Sequence, residues 1–233
     1  MTHRIPQDLA RAIDLTEVRK DLTYSDVERA CFEARSHGVA SLVVPSALVR
    51  RAAVCLSSSD IAVACYIGYP FGTQAANVKA REASVALEHG AREIALIPHY
   101  GTIRAARWSN VKAELKTVRR AAKAAMFGVV VEVAYLSDEQ LSRFASVAAD
   151  AGYALIANTA GFRTVSTQPD SQAAATEETV ARLARAGGGR ILPKAVGGIT
   201  TRSDVARLIE AGAARVGVDA APGLLRRWAE EKR

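Results

Sequence analysis

The sequence predicts an α/β fold, a single (β/α)8 TIM barrel that spans residues 1–233 as one domain. Short apolar, β-branched runs alternate eight times with longer alanine-rich stretches of helical period. A glycine and a small apolar residue recur at strand entries, as at Gly38-Val39, Gly90-Ala91 and Gly212-Ala213. Eight such units in a short chain favour a closed parallel barrel. An open doubly wound sheet is the alternative, and the lack of a G-x-G-x-x-G motif after the first strand weakens it.

The apolar runs define eight predicted strands, most of them closed by Pro or Gly. They cover residues 13–16, 41–44, 61–67, 93–97, 129–133, 154–158, 191–195 and 215–218. Three N-terminal capping patterns predict helix starts: Thr23-x-x-Asp26, Ser137-x-x-Gln140 and Thr201-x-x-Asp204. A long polar loop is predicted at about 161–175. It follows a strand, which places it on the C-terminal face, where barrel sites lie.

The composition is that of an ordinary folded protein, with 49% hydrophobic and 24% charged residues. The longest apolar runs, such as 127–131, are too short to span a bilayer. The first four residues lack an apolar signal region, which favours a cytoplasmic protein without a membrane partner. Cys31, Cys55 and Cys65 form no CxxC pair, so neither a disulfide framework nor a metal site is expected. No cofactor is expected either.

The net charge of +7 raises the question of an anionic partner. The tight basic pairs, Arg50-Arg51, Arg119-Arg120 and Arg226-Arg227, each lie in a helical stretch. Solvated helix faces therefore explain the charge better than nucleic-acid binding does, and no nucleic-acid partner is expected. A homo-oligomer is compatible with the sequence.

Polar residues at the C-terminal strand ends are the candidate site of a barrel. They are Asp14, Thr16, Cys65, Tyr69, His99, Tyr100, Glu132, Asn158, Thr159, Lys194 and Asp219. Several have structural alternatives, because Asp14 and Thr16 could cap a turn, Cys65 could fill the core, and His99 could bond a loop carbonyl. Gly197 and Gly198 precede a helix and expose N–H groups that can cradle a phosphate.

Lys194 and Glu132 are the strongest candidates, since each lies in an apolar strand and a bare buried charge is costly. The Lys194 ammonium is expected to point into the barrel mouth. Glu132, two strands away, could pair with it and keep it charged.

The ordered motifs resemble the class I deoxyribose-phosphate aldolases over residues 13–225, nearly the whole chain. The matching motifs are Asp14-Leu15-Thr16, Tyr69-Pro70-Phe71-Gly72, Lys79 with Glu82, Gly90-Ala91 with Glu93-Ile94, Val131-Glu132, Ala151-Gly152, Gly161-Phe162, Ala175-Thr176 with Glu178, Lys194 with Gly197-Gly198-Ile199, and Arg215-Val216-Gly217. The resemblance implies the aldolase barrel and a carbonyl substrate.

Four positions depart from the pattern that this resemblance implies. The Schiff-base lysine falls at Ala157, the proton-relaying aspartate at Ala95, and a strand-five lysine at Gly128. A serine near the substrate phosphate falls at Asp219, whose charge repels phosphate. Of the family's charged set, Asp14, Glu132 and Lys194 remain.

These departures predict an enzyme other than the usual aldolase, acting on a small-molecule carbonyl substrate in specialised biosynthesis. Carbon–carbon bond formation, cyclisation or a related lyase or isomerase step would fit. Lys194 could form an imine, but no neighbouring lysine remains to lower its pKa, so it is expected to stay cationic and polarise a carbonyl while Glu132, His99 or Tyr100 moves protons. A non-catalytic metabolite- or partner-binding protein is the alternative, and deoxyribose-phosphate aldolase activity ranks third.

Overall fold

The computed structural model describes residues 7–161 and 174–230. Eight parallel strands close into a barrel in sequence order, β1 to β8, with β8 pairing back to β1. The strands are β1 Ile13–Thr16, β2 Ser41–Val44, β3 Ala62–Ile67, β4 Glu93–Leu96, β5 Met126–Val130, β6 Leu155–Ala157, β7 Leu192–Val196 and β8 Arg215–Asp219. The predicted (β/α)8 barrel is therefore confirmed.

Helices connect the strands and surround the barrel. They are α1 Gln7–Ala10, α2 Tyr24–His37, α3 Val49–Cys55, α4 Ala76–Glu88, α5 Tyr100–Arg104, α6 Trp108–Ala121, α7 Asp138–Asp150, α8 Glu177–Gly187, α9 Arg202–Glu210 and α10 Leu224–Glu230. Two short 3₁₀ helices, Ser46–Leu48 and Val133–Tyr135, follow β2 and β5. Across the described ranges, no helix combines the length and apolarity needed to cross a membrane.

The three predicted capping patterns form in the structure. Thr23, Ser137 and Thr201 each accept a hydrogen bond from the backbone three residues on, and the side chain there bonds back to the cap. Each pair satisfies two N–H groups that the first helical turn leaves free. Local sequence therefore sets where α2, α7 and α9 begin.

The fifth strand lies three residues before its predicted position. It spans Met126–Val130 instead of 129–133 because Glu93 of β4 pairs with Met126. The apolar run continues through Val131 without a break, so the sequence alone gave no boundary. Glu132 consequently follows the strand and precedes the 3₁₀ helix.

Alternation along each strand divides the buried side chains between two layers. One large cluster, including Leu15, Leu42 and Cys65, packs the outside of the barrel against the helices. A smaller cluster lines the interior, with Val43, Tyr66 and other residues. Most of the predicted loop at 161–175 lies outside the described residues, which end at Gly161 and begin again at residue 174.

Candidate functional site

A buried ion pair joins two sides of the barrel interior. Lys194 of β7 is 7% exposed, and its Nζ lies 2.6 Å from Oδ2 of Asp14 on β1. Strand β8 lies between β7 and β1, so this contact crosses the interior over one strand. The expected partner of Lys194 was Glu132. The structure corrects this, because the register of β1, β8 and β7 brings Asp14 to the amine instead.

Three further side chains complete this cluster. Ser41 Oγ donates to Asp14 Oδ1 at 2.6 Å, and the Arg215 guanidinium donates to the same oxygen, with Nε at 2.9 Å. Arg215 also contacts the Glu93 carboxylate at 3.3 Å. Two cations therefore meet two carboxylates inside the barrel, which balances charges that would be costly to bury alone. Asp14, Lys194, Arg215, Glu93 and Ser41 are hereafter the ionic cluster.

The protonation states follow from two opposing effects. Burial by itself would raise the pKa of Asp14, but Lys194 and Arg215 outweigh it and hold that pKa below its ordinary value. Burial would likewise lower the pKa of Lys194, but the Asp14 carboxylate outweighs it and raises that pKa. Lys194 is therefore an ammonium at neutral pH.

Beyond Glu93, the β4 to β6 wall of the interior carries small, uncharged residues. Ala95 of β4 pairs in register with Gly128 of β5, and Ala157 of β6 pairs with Lys194 of β7. These four residues line one cavity. The Lys194 amine is thus next to a space that larger side chains would fill.

Glu132 lies above this apolar wall and bonds to the end of β6. Its carboxylate accepts hydrogen bonds from Thr159 Oγ1 at 2.8 Å and from the Ala160 N–H at 3.1 Å. Burial raises the pKa of Glu132, and these two bonds oppose that rise. The contacts join the loops after β5 and β6 and leave Glu132 apart from the ionic cluster.

Two tyrosines form an aromatic side of the mouth. The rings of Tyr66 and Tyr69 stack with centroids 5.5 Å apart and an interplanar angle of 23°. Asp219, at the end of β8, is exposed, and partial burial of its carboxylate raises its pKa. Burial is the main cause of a raised pKa at Tyr69, and Tyr66 and the charge of Asp219 add to it.

His99 and Tyr100 make structural contacts at the end of β4. His99 Nδ1 accepts from the Thr102 N–H at 3.2 Å and so caps α5. Tyr100 donates its hydroxyl to the backbone oxygen of Glu132 at 3.1 Å. Neither contact reaches Lys194.

The other predicted site residues are dispersed. The Asn158 amide bonds both the N–H and the C=O of Val196, which extends the β6–β7 pairing. The Thr16 hydroxyl donates to the backbone oxygen of Asp14 at 3.3 Å, while Cys65 lies in the outer core. Gly197 and Gly198 both adopt a positive φ after β7, a conformation that favours glycine.

The sequence reasoning missed four residues beside the candidate amine: Arg215, Ser41, Glu93 and Tyr66. A signal was available for two of them. Glu93 and Arg215 are charged residues at the start of apolar strands, the same pattern that drew attention to Glu132 and Lys194. Over residues 7–161 and 174–230, no group of three or more His, Cys, Asp or Glu side chains could hold a metal ion.

Known proteins resemble this chain over nearly its full length. A deoxyribose-phosphate aldolase of Deinococcus radiodurans is 35% identical over 217 residues, 93% of this chain and 95% of that one. One from Methanothermobacter thermautotrophicus is 34% identical over 222 residues, 95% and 96% of the two chains. No family model matches the sequence.

Solved structures give the same result. An aldolase designated QR15 superposes with a TM-score of 0.84 at 26% identity, covering 96% of each chain. A tetrameric deoxyribose phosphate aldolase from Aeropyrum pernix also has a TM-score of 0.84, at 27% identity, covering 96% of this chain and 92% of that one.

These relatives contradict the main functional interpretation made from the sequence. The expectation of an enzyme other than a deoxyribose-phosphate aldolase was wrong, since relatives named for that activity match more than nine-tenths of the chain. That expectation depended on four strand positions.

Proposed function

Since the chain belongs to the deoxyribose-phosphate aldolase family, we propose that it is an aldolase that cleaves deoxyribose 5-phosphate reversibly and uses Lys194 as its reactive amine. The observation that carries the proposal is the position of Lys194, buried in the barrel and in register with Ala157. The resemblance puts the family's Schiff-base lysine at Ala157, so the amine has to come from another strand. Adjacent strands are only about 4.8 Å apart, which brings Lys194 to the same cavity.

The chemistry requires a neutral amine for part of the cycle. The amine adds to the carbonyl carbon and water leaves, which gives an iminium that accepts the electrons of the breaking carbon–carbon bond. Asp14 Oδ2, 2.6 Å from Nζ, is placed to take the ammonium proton first. That transfer is uphill, because the pKa of Asp14 is lowered and that of Lys194 is raised.

The charge state of Lys194 therefore makes the reaction slow and strongly dependent on pH. Its pKa lies above the ordinary value of 10.5. The neutral fraction of the amine is therefore small at pH 7 and increases as the pH rises.

The phosphate end of the substrate is expected to bind weakly. Gly197 and Gly198 offer a turn with positive φ before α9, and such turns present N–H groups to anions. The Asp219 carboxylate at the end of β8 opposes an anion at the same mouth. A high KM for deoxyribose 5-phosphate is the expected result.

Release of acetaldehyde, followed by a coupled assay, tests the activity. We expect turnover well below the enzyme median of about 10 s⁻¹ at pH 7, increasing towards pH 9. A rate equal to the enzyme-free reaction over this whole range would contradict the proposed aldolase.

Borohydride trapping tests whether Lys194 is the amine that forms the imine. With acetaldehyde present, the reduced adduct should map to Lys194 by peptide mass spectrometry, and its yield should rise about tenfold per pH unit between pH 7 and 9. Activity without any adduct would mean that Lys194 acts as a cation that stabilises an oxyanion instead.

The tetramer named for the Aeropyrum pernix aldolase supports a homo-oligomer for this chain as well. Size-exclusion chromatography with light scattering tests this, and a monomer at micromolar concentration would contradict it.

A further inference from the structure

A second buried lysine lies outside the barrel, between α4 and α6. Lys79 of α4 is fully buried. Its Nζ donates to the Gly72 backbone oxygen at 2.5 Å, to the Ile97 backbone oxygen at 3.0 Å, and to Glu114 Oε1 at 2.5 Å. All three ammonium protons therefore have acceptors, and the acceptors belong to three different segments.

Glu114 of α6 extends this set of bonds to a fourth contact. Its carboxylate accepts the His99 N–H, at 3.1 Å from Oε2. The pair of Lys79 and Glu114 thus links the loop after β3, the end of β4 and the start of α5. We call this pair the loop clamp.

The two loops held by the clamp touch each other closely. A Cβ added at Gly72 would lie 2.3 Å from the Pro98 backbone oxygen, and the φ of Gly72 is +65°. Only glycine fits this approach without displacing backbone. Nearby, Glu82 holds the Gly68 N–H at 2.9 Å and the Ser46 hydroxyl at 2.8 Å.

These loops carry part of the barrel mouth. The loop after β3 holds Tyr69, whose ring stacks on Tyr66 inside the barrel. The segment after β4 holds His99, which caps α5, and Tyr100, which bonds the Glu132 backbone. A shift of either loop would therefore change the shape of the mouth.

We infer that Lys79 and Glu114 are positioning residues that fix the β3 and β4 loops at the mouth for substrate binding. This inference rests on the proposed function, which places the substrate there. Neither residue reaches the interior, so their effect on the reaction passes through the loops.

The fact that Lys79 and Glu114 are a charged pair supports their role as positioning residues. Burying an ion pair costs desolvation, and apolar residues of similar volume often give equal or greater stability. An apolar pair, however, could not bond the Gly72 and Ile97 carbonyls or the His99 N–H. The charges therefore fix geometry that apolar packing would leave free.

The test uses the double variant Lys79→Met/Glu114→Leu, which keeps the volume without leaving one buried charge unpaired. Amide hydrogen exchange is measured at Gly72 and Thr102, whose N–H groups bond Gly68 and His99, and at Val216 on the far side. We expect exchange at the two loop amides to rise at least about tenfold relative to Val216.

Leu115→Ala is the matched control. Leu115 is buried next to Glu114, and its side chain takes no part in the clamp's hydrogen bonds. A loss of global stability alone should speed exchange at all three amides together. If exchange at Gly72 and Thr102 in the double variant speeds up only as much as exchange at Val216, the inference would be overturned.

Kinetics supply the second readout. The double variant should raise KM for deoxyribose 5-phosphate about tenfold and change kcat less than about threefold, because the ionic cluster is untouched. Loosened loops with an unchanged KM would also overturn the positioning role. A native chain without aldolase activity would contradict the proposed function, while local loosening in the exchange experiment would still support the clamp.

Discussion

The two halves of the barrel interior differ in how they handle charge. On the β7, β8 and β1 side, Lys194 and Arg215 meet the Asp14 carboxylate, and Arg215 also meets Glu93. On the β4 to β6 side, Glu93 reaches the cluster from the start of β4, and the residues beyond it are Ala95, Gly128 and Ala157. The charged side chains therefore pair with one another, whereas the small residues leave a cavity with room for about one water molecule.

Lys194 lies at the boundary between the two sides, because it pairs with Asp14 and also lines the cavity beside Ala157. Every charge in the ionic cluster has a partner, and the Asp14 carboxylate keeps the Lys194 amine protonated, which suppresses its nucleophilicity. The apolar half has no amine to depress that lysine's pKa by like charge. Substitutions in the charged half and in the apolar half should therefore differ in how they affect stability and the reactivity of Lys194.

The largest effect is expected from Asp14→Asn. It leaves Lys194 and Arg215 buried without their shared carboxylate, which should lower the free energy of unfolding by about 3–5 kcal/mol at pH 7. Chemical denaturation measures this. The control Asp150→Asn removes an exposed carboxylate paired with Arg190, and should lower the free energy of unfolding far less, because solvent screens this pair. Equal losses of unfolding free energy in the two variants would mean that the buried cluster tolerates the loss of the Asp14 carboxylate as well as an exposed ion pair tolerates the loss of its own.

The same variant gives a pH dependence with a defined sign. The pKa of Asp14 is lowered from 3.8, so its stabilisation is present above that pH and is lost as the pH falls through the folded-state pKa. The stability gap between the native chain and Asp14→Asn should thus narrow below about pH 3.8. A gap that stays constant down to pH 2 would argue against a lowered pKa.

Lys194→Met should abolish the reaction by removing the amine. A loss of at least about 10²–10³-fold in kcat is expected, the usual cost of deleting a group that acts on the transition state. The acetaldehyde assay measures it, with Lys116→Met on the exposed surface of α6 as the control. Full activity in the Lys194 variant would exclude this residue as the reactive group.

Ala157→Lys introduces a charge among the small residues of the interior and so reduces the difference in charge between the two sides. A second cation in register with Lys194 should lower the pKa of Lys194 by at least about one unit, and so raise the yield of the reduced adduct at Lys194, located by peptide mass spectrometry, about tenfold at pH 7. Ala157→Met fills the same space without an amine and should not raise the yield. If both variants trap equally, the cause would be altered packing.

The smallest effect is expected from Thr159→Val, on the apolar side. It removes one hydrogen bond to Glu132 and should cost about 1 kcal/mol of stability. Trapping at Lys194 should be unchanged, because Glu132 and the ionic cluster are separate. A fall in kcat as large as that of Lys194→Met would instead give Glu132 a part in the reaction.

Much of the fold could be read from local patterns. The alternation of strands and helices gave the barrel, and the capping pairs at Thr23, Ser137 and Thr201 gave three helix starts. Strand β1 was predicted at its observed bounds, Ile13–Thr16. In β5 the prediction slipped by three residues, because a continuous apolar run contains no signal for where pairing stops.

Several residues of the candidate site were predictable from the sequence, but the contacts between them were not. Lys194 and Asp14 were both named from strand ends, and they meet at 2.6 Å. Glu132 was named as the partner, yet it bonds Thr159 and Ala160. Cys65 was placed at the mouth, yet its strand position points it to the outer core.

The sequence by itself determined the barrel, the helix caps at Thr23, Ser137 and Thr201, and the burial of Lys194 in an apolar strand. These features follow from hydrophobic periodicity and from hydrogen bonds between neighbours in the chain. Only the tertiary structure decided which buried charges pair. Closing the barrel sets the register of β1 against β8 and of β8 against β7, and a one-residue slip would turn Asp14 out of the interior.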